Sequence, residues 1–186
     1  MKTAMSRFPV HDELTAPEGS TAILRAALSG AGQLPNFLGV LSGAPAALRA
    51  YTRFRAELRH GHLGLATRER IALAVAERRG SQPGLALHTR TARDAGLGID
   101  EVARARQFRS ADAREDALLK LLEPLVGGTQ PALHLHEEAH EAGWSDEELL
   151  EAIALVALEG FTAMINVAGD VPVDGSVEEG RRLKAA

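Results

Sequence analysis

The sequence predicts an all-α protein. Ala, Leu, Arg and Glu dominate it, Val and Ile rarely cluster into strand-like runs, and helix start and stop signals recur along its length. Its 186 residues, 45% hydrophobic, are ample for a hydrophobic core and fit one domain.

Residues 1–19 carry Pro9, Pro17 and Gly19 without a sustained period, so they read as an extended arm. The domain follows over 20–170, and 171–186 form a tail with a short helix. Within these, helices are expected over about 20–31, 44–60, 67–79, 84–95, 99–107, 112–126, 131–142, 145–168 and 176–184. Pro35-Asn36, Gly43-Ala44-Pro45 and Gly127-Gly128 read as loops. Thr67 is positioned to cap the helix that contains Ile71, Leu73 and Val75. Ser145-Asp146-Glu147-Glu148 is a capping box, in which the Ser oxygen accepts a first-turn amide while Glu148 reaches back; Ser176 to Glu179 repeats the pattern. Gly96 and Gly143 fall where helices stop in a left-handed conformation. Ala92 to Leu97 and Ala139 to Trp144 align, with Glu101 then opposite Glu148, which suggests a helical hairpin used twice.

Composition narrows function. A net charge of −4 and few aromatics leave nothing to coat a phosphate backbone or stack on bases, so nucleic acid is not the expected partner. No run reaches the roughly 18–20 consecutive apolar residues that span a bilayer, and Met1 to Arg7 leads into His11-Asp12-Glu13 without the apolar middle of a secretory signal. No membrane partner is expected, and the cytoplasm is the expected compartment. The chain contains no cysteine, which excludes disulfides, thiolate metal sites and thiol catalysis. Alanine-rich helices with sparse aromatics point to apolar surface completed by a second copy, a homo-oligomer.

Three groups of residues could carry chemistry. His136-Glu137-Glu138-Ala139-His140 is a literal H-E-x-x-H, which on a helix sets two imidazoles one turn apart for zinc, with Glu137 as base. The favoured reading is a solvated helix face rich in His and Glu, so no metal or other cofactor is expected. Glu69 lies in the first turn of an otherwise apolar helix. It either complements the positive helix end or faces the interior, where burial would raise its pKa and make it a usable acid or base. His88 shares a face with Leu85, Ala92 and Ala95, where a lone His is more often a hydrogen-bonded core residue than a catalyst. Arg68, Arg70, Arg78, Arg79 and Arg90 read as solvated helix surface.

The run from Thr67 through Glu69, Glu77, Ser81, Gly84 and His88 to Gly96 resembles the core of the alkylhydroperoxidase D and carboxymuconolactone decarboxylase superfamily, closest to its peroxidase-related branch. Supporting matches are Leu34-Pro35-Asn36, Ala44 to Leu48, Arg109 to Asp112, Glu151 to Leu158, Phe161-Thr162 and Asn166, so the likeness spans about residues 30–170. The resemblance implies an all-helical alkylhydroperoxidase-like domain, homo-oligomers, and a site built from a Glu, a C-x-x-C pair and a downstream His. Glu69 falls on that Glu and His88 on that His, while Ser81 and Gly84 occupy the cysteine positions. Without thiols, Ser81-Gln82-Pro83-Gly84 cannot run the disulfide cycle; Gln82-Pro83-Gly84 reads as a tight turn, with Pro83 setting φ and Gly84 able to tolerate a positive φ. The resemblance to the superfamily's decarboxylase branch implies instead an acid–base enzyme without cofactor, using Glu69 and His88 on a small organic acid or lactone. The alternative is a catalytically silent member serving as a binding or assembly module. With the two helices packed antiparallel as a hairpin, Glu69 lies too far along its own for a direct bond to His88 to be expected. Both are expected to face one partly buried cavity near Ser81, with the Glu69 pKa raised by desolvation.

Overall fold

The computed structural model describes residues 6–31 and 33–175; the helix expected over 176–184 lies outside the described residues. Among the described residues there are no strands and nine helices: α1 (Glu18–Ala31), α2 (Asn36–Leu41), α3 (Pro45–Arg59), α4 (Leu65–Arg78), α5 (Gln82–Asp94), α6 (Ile99–Ala105), α7 (Ala113–Val126), α8 (Leu133–Glu141) and α9 (Asp146–Gly169). The chain divides into two compact units, one of residues up to Phe54 and from Ile165 onward, the other Arg55–Met164.

In the first unit the segment before α1 is pinned rather than loose. Asp12 Oδ1 accepts the amides of Leu14 and Thr15, which makes a local turn. The His11 amide donates to the Gly39 carbonyl at 3.1 Å, and the Arg7 amide to the Gly169 carbonyl at 2.7 Å. Gly39 permits this crossing, because a Cβ there would meet the His11 carbonyl oxygen and a Val10 methyl, each at 2.7 Å. Helix α2 replaces the loop expected at Pro35-Asn36. Six residues are too few for a period to show, and Pro35 sits at the cap, where its missing N–H costs nothing.

In the second unit α4 is the central element, packed against α5, α6 and α7. Residues Ile71 to Ala76 are all 4% exposed or less, so α4 is apolar around its whole circumference, as a helix surrounded by others must be. Its start differs from expectation. The cap is Gly64, and the Thr67 hydroxyl donates to Glu115 Oε1 at 2.7 Å instead of holding a first-turn amide. Thr67 already lies inside the helix, where a side-chain partner on α7 is within reach. Arg70 is buried rather than solvated; its Nε lies 2.7 Å from Glu101 Oε1 and its Nη1 3.6 Å from Glu115 Oε1.

Three helix stops, those of α4, α5 and α8, share one pattern. The amide of the residue after a left-handed glycine donates to an alanine carbonyl five residues back: Ser81 to Ala76, Leu97 to Ala92, Trp144 to Ala139, at 2.9–3.1 Å. Gly80, Gly96 and Gly143 supply φ values of 68°, 90° and 93°. The likeness between the two aligned segments is therefore a shared helix closure. Beyond it they diverge. Glu148 completes the capping box with Ser145, as expected, whereas Glu101 accepts from Arg70, Ser110 and the Ala111 amide.

Helix α9 is long and apolar enough to cross a membrane by length and composition, with mean hydropathy 1.7 over an 18-residue window. It holds no unbroken apolar run of that length, because Glu159, Thr162 and Asn166 interrupt it. Within it Leu155, Leu158 and Ala163 are buried, while Met164 and Val167 are exposed.

Candidate functional site

The geometry of the α4–α5 corner decides where Glu69 and His88 meet. Ser81 caps α5, its Oγ accepting the Gly84 amide at 3.2 Å, so that helix starts at Gln82 with Pro83 in its first turn. The Ser81–Gly84 stretch is thus a helix start, and the positive φ belongs to Gly80, not Gly84. Gly84 is constrained by space instead: a Cβ there would lie 2.9 Å from Ser81 Oγ and 3.2 Å from the Ala76 methyl.

The earlier start brings His88 further along its helix. At 1.5 Å per residue, Glu69 lies about 13.5 Å from the end of α4 and His88 about 9 Å from the start of α5. That offset of about 4.5 Å is spanned by the two side chains, so the direct contact expected to be out of reach is made. His88 Nδ1 donates to Glu69 Oε2 at 2.9 Å, and Thr91 Oγ1 donates to the same oxygen at 2.5 Å. On its other side, His88 Nε2 lies 3.4 Å from Glu159 Oε2 on α9. Both carboxylates and the imidazole are largely buried, their side chains 12–16% exposed.

These groups form one wall of a cavity of about 260 Å³ inside the second unit. Leu58, Leu155 and Leu158 give it apolar sides, and Arg55, Arg59 and Arg68 also line it. Ser81 does not line it: it is buried beneath the α5 start. Its volume falls below the roughly 300–1,000 Å³ of pockets that take drug-sized ligands, which sets the scale of any occupant.

Charge in this wall is coupled. Burial alone would strip the proton from His88, but hydrogen bonds and attraction from Glu159 and Glu69 prevail and push its pKa up to about 9. For Glu69, burial favours the neutral acid, yet the hydrogen bond and charge of His88, the Thr91 hydroxyl and the charge of Arg68 hold its carboxyl below the ordinary value. The expected upward shift is thus reversed, because desolvation acts on a carboxylate that already owns a cation and a hydroxyl. Near neutral pH the wall holds an imidazolium between two carboxylates.

Sequence reading found two members of this site and missed the others. Glu159 carried a signal: it is the lone charged residue between Ala152 and Gly169 in an otherwise apolar helix. Arg55 and Arg59 carried none, since arginines four apart on a helix are ordinary solvated surface. The other histidine motif takes no part in this site. In α8, His140 Nδ1 lies 3.0 Å from the Trp144 carbonyl and its Nε2 3.3 Å from Asp146, so both ring nitrogens meet other groups. His62, Glu147 and Glu151 do gather within ligand range. There the Glu151 carboxylate accepts the amides of His62 and Leu63, closing the turn ahead of α4.

Comparison with known proteins agrees with the all-α fold. The fold matches the alkylhydroperoxidase AhpD core of a peroxidase-related protein from Ralstonia eutropha JMP134 at TM-score 0.80 and 19% identity, over 93% of this chain and 94% of that one. A peroxidase-related protein from Silicibacter sp. TM1040 matches at TM-score 0.79 and 17% identity, over 94% and 95%. A variant of the debrominase Bmp8 in complex with 2,3,4-tribromopyrrole matches at TM-score 0.75 and 16% identity, over 98% of both chains. No curated protein matches the sequence. The model of the carboxymuconolactone decarboxylase family matches residues 45–126, a stretch that holds Glu69 and His88. That stretch is similar to the carboxymuconolactone decarboxylase family, and the fold around it is alkylhydroperoxidase-like and all-α.

Proposed function

We propose that the protein is an acid–base enzyme without cofactor that moves a proton on a small organic acid or lactone. The observation that carries this reading is the His88 imidazole held between Glu69 and Glu159 in the wall of a small cavity. A buried proton donor beside two carboxylates, open to a ligand-sized space, is the arrangement that general acid–base catalysis requires. The cavity also holds three guanidinium groups, those of Arg55, Arg59 and Arg68, none of them in an ion pair with a carboxylate among the described residues. Arg68 Nε is buried without a hydrogen-bond acceptor among the described residues.

The fold supports several chemistries, and the debrominase among its neighbours shows that fold alone does not choose one. Thiol peroxidase chemistry is not expected here. Ser81 Oγ cannot form the nucleophilic anion that a thiolate provides, and Ser81 is buried and does not line the cavity. In a coupled assay with hydroperoxide and a dithiol donor, turnover should not exceed that of heat-inactivated protein; turnover above it would overturn this part of the reading.

The test of the main reading is proton exchange. The protein is incubated in D2O with a panel of small carboxylic acids and lactones, and loss of C–H signal is followed by NMR. At least one member should exchange about 100-fold faster than in buffer, with most of that gain lost in His88→Gln. No exchange with any member would contradict the acid–base reading and leave the silent module in its place.

A further inference from the structure

We infer that Glu159, a residue outside the Glu–His pair of the sequence motif, is the base that takes the substrate proton, while Glu69 serves as a positioning residue. The inference rests on the acid–base reading and assigns its roles. Glu69 Oε2 already accepts two short hydrogen bonds, from His88 and Thr91, and Arg68 is the next charge beside it. A carboxylate so engaged orients the imidazole and gains little by taking another proton. Glu159 is differently placed. Its 3.4 Å approach to His88 Nε2 is longer than the 2.9 Å contact of Glu69, and no other donor among the described residues serves its carboxylate. It projects from an apolar stretch of α9 into the cavity wall. The other charged groups facing that cavity are Arg55 and Arg59 of α3, Arg68 and Glu69 of α4, and His88 and Asp94 of α5.

The same 3.4 Å spacing leaves the Nε2 proton of His88 without a short acceptor. A substrate carbonyl oxygen in the cavity can take that hydrogen bond while its neighbouring C–H faces Glu159. The C–H proton then moves to a Glu159 oxygen, and the C–H electron pair shifts onto the carbonyl. The resulting enolate oxygen is held by the Nε2–H of His88. Return of the proton, or of a deuteron exchanged onto Glu159, restores the carbonyl and the free carboxylate. No electron acceptor or second reactant is needed, and the substrate class is a small carbonyl compound or lactone with an acidic neighbouring C–H and a carboxylate for the arginines.

The test compares Glu159→Gln, Glu159→Asp and Glu69→Gln with the wild type in D2O exchange across pH, with circular dichroism to confirm folding. Glu159→Gln should lower kcat about 100-fold or more with KM nearly unchanged, and should abolish the acidic limb of the rate profile. Glu159→Asp should keep that limb and stay within about tenfold of wild type. Glu69→Gln should lower the His88 titration midpoint and retain the acidic limb. A Glu159→Gln protein within about tenfold of wild type with its acidic limb intact would overturn the assignment. So would loss of that limb in Glu69→Gln, which would make Glu69 the base. Absence of exchange in the wild type itself would instead overturn the acid–base reading on which the assignment rests.

Discussion

Replacing Arg70 by Ala should destabilise the protein by about 3–5 kcal/mol, the cost of stripping a buried ion pair of one partner. Arg70 joins α4 to the Glu101 carboxylate of α6 at 2.7 Å and approaches Glu115 of α7 at 3.6 Å, all three side chains 11–14% exposed. Removing the guanidinium leaves two carboxylates facing each other with little water to screen them. The Glu101 carboxyl shows the dependence. Burial would raise its pKa, but Ser110, the Ala111 amide and Arg70 together hold it below the ordinary value. Its stabilising contribution is therefore present above the ordinary carboxylate range and fades as pH falls through the folded value. Arg70→Lys keeps the charge without the fork and should lose less than Arg70→Ala. Urea unfolding at pH 7 measures both; an Ala variant within about 1 kcal/mol of wild type would show that the pair contributes little.

The second large effect is pH-dependent. His88 titrates at about 9 in the folded protein, against about 6.5 when unfolded. A raised folded pKa means that the stabilising contribution is complete below about pH 6.5 and is lost as pH rises through about 9. The full contribution is about 3 kcal/mol, because each tenfold gain in proton affinity on folding is worth about 1.4 kcal/mol. His88→Gln removes the cation between Glu69 and Glu159. Its stability deficit should therefore be largest near pH 6 and should shrink between about pH 6.5 and 9. Unfolding curves for both proteins across that window test the sign; a deficit that grows with pH would contradict the clasped imidazolium.

Much of the fold was legible because its helix ends are chemically marked. Gly96 and Gly143 stop helices as their positions foretold, and Ser145 with Glu148 forms the expected box. Helix α2 was not legible, since its six residues hold too little period and its glycine is there for the crossing segment at His11. Thr67 misled for a related reason: a Thr ahead of an apolar run looks like a cap, yet its hydroxyl serves a carboxylate on α7.

The site was legible only in part. Glu69 and His88 lie on neighbouring helices joined by a short turn, so sequence could place them in one hairpin. Sequence could not place Glu159 beside them, because no local period links α9 to α5. Their contact also reversed the sense of the Glu69 titration: desolvation was foreseen, but the cation that outweighs it was not. The same holds for Arg55 and Arg59, whose role depends on which cavity their helix borders.

The central claim is that His88 is a buried imidazolium held by Glu69 and Glu159, and nitrogen-detected NMR of His88 across pH tests it without any substrate. The predicted result is a ring protonated at both nitrogens near neutral pH, with a titration midpoint of about 9. A ring that is neutral there, titrating near the ordinary value of about 6.5, would contradict it.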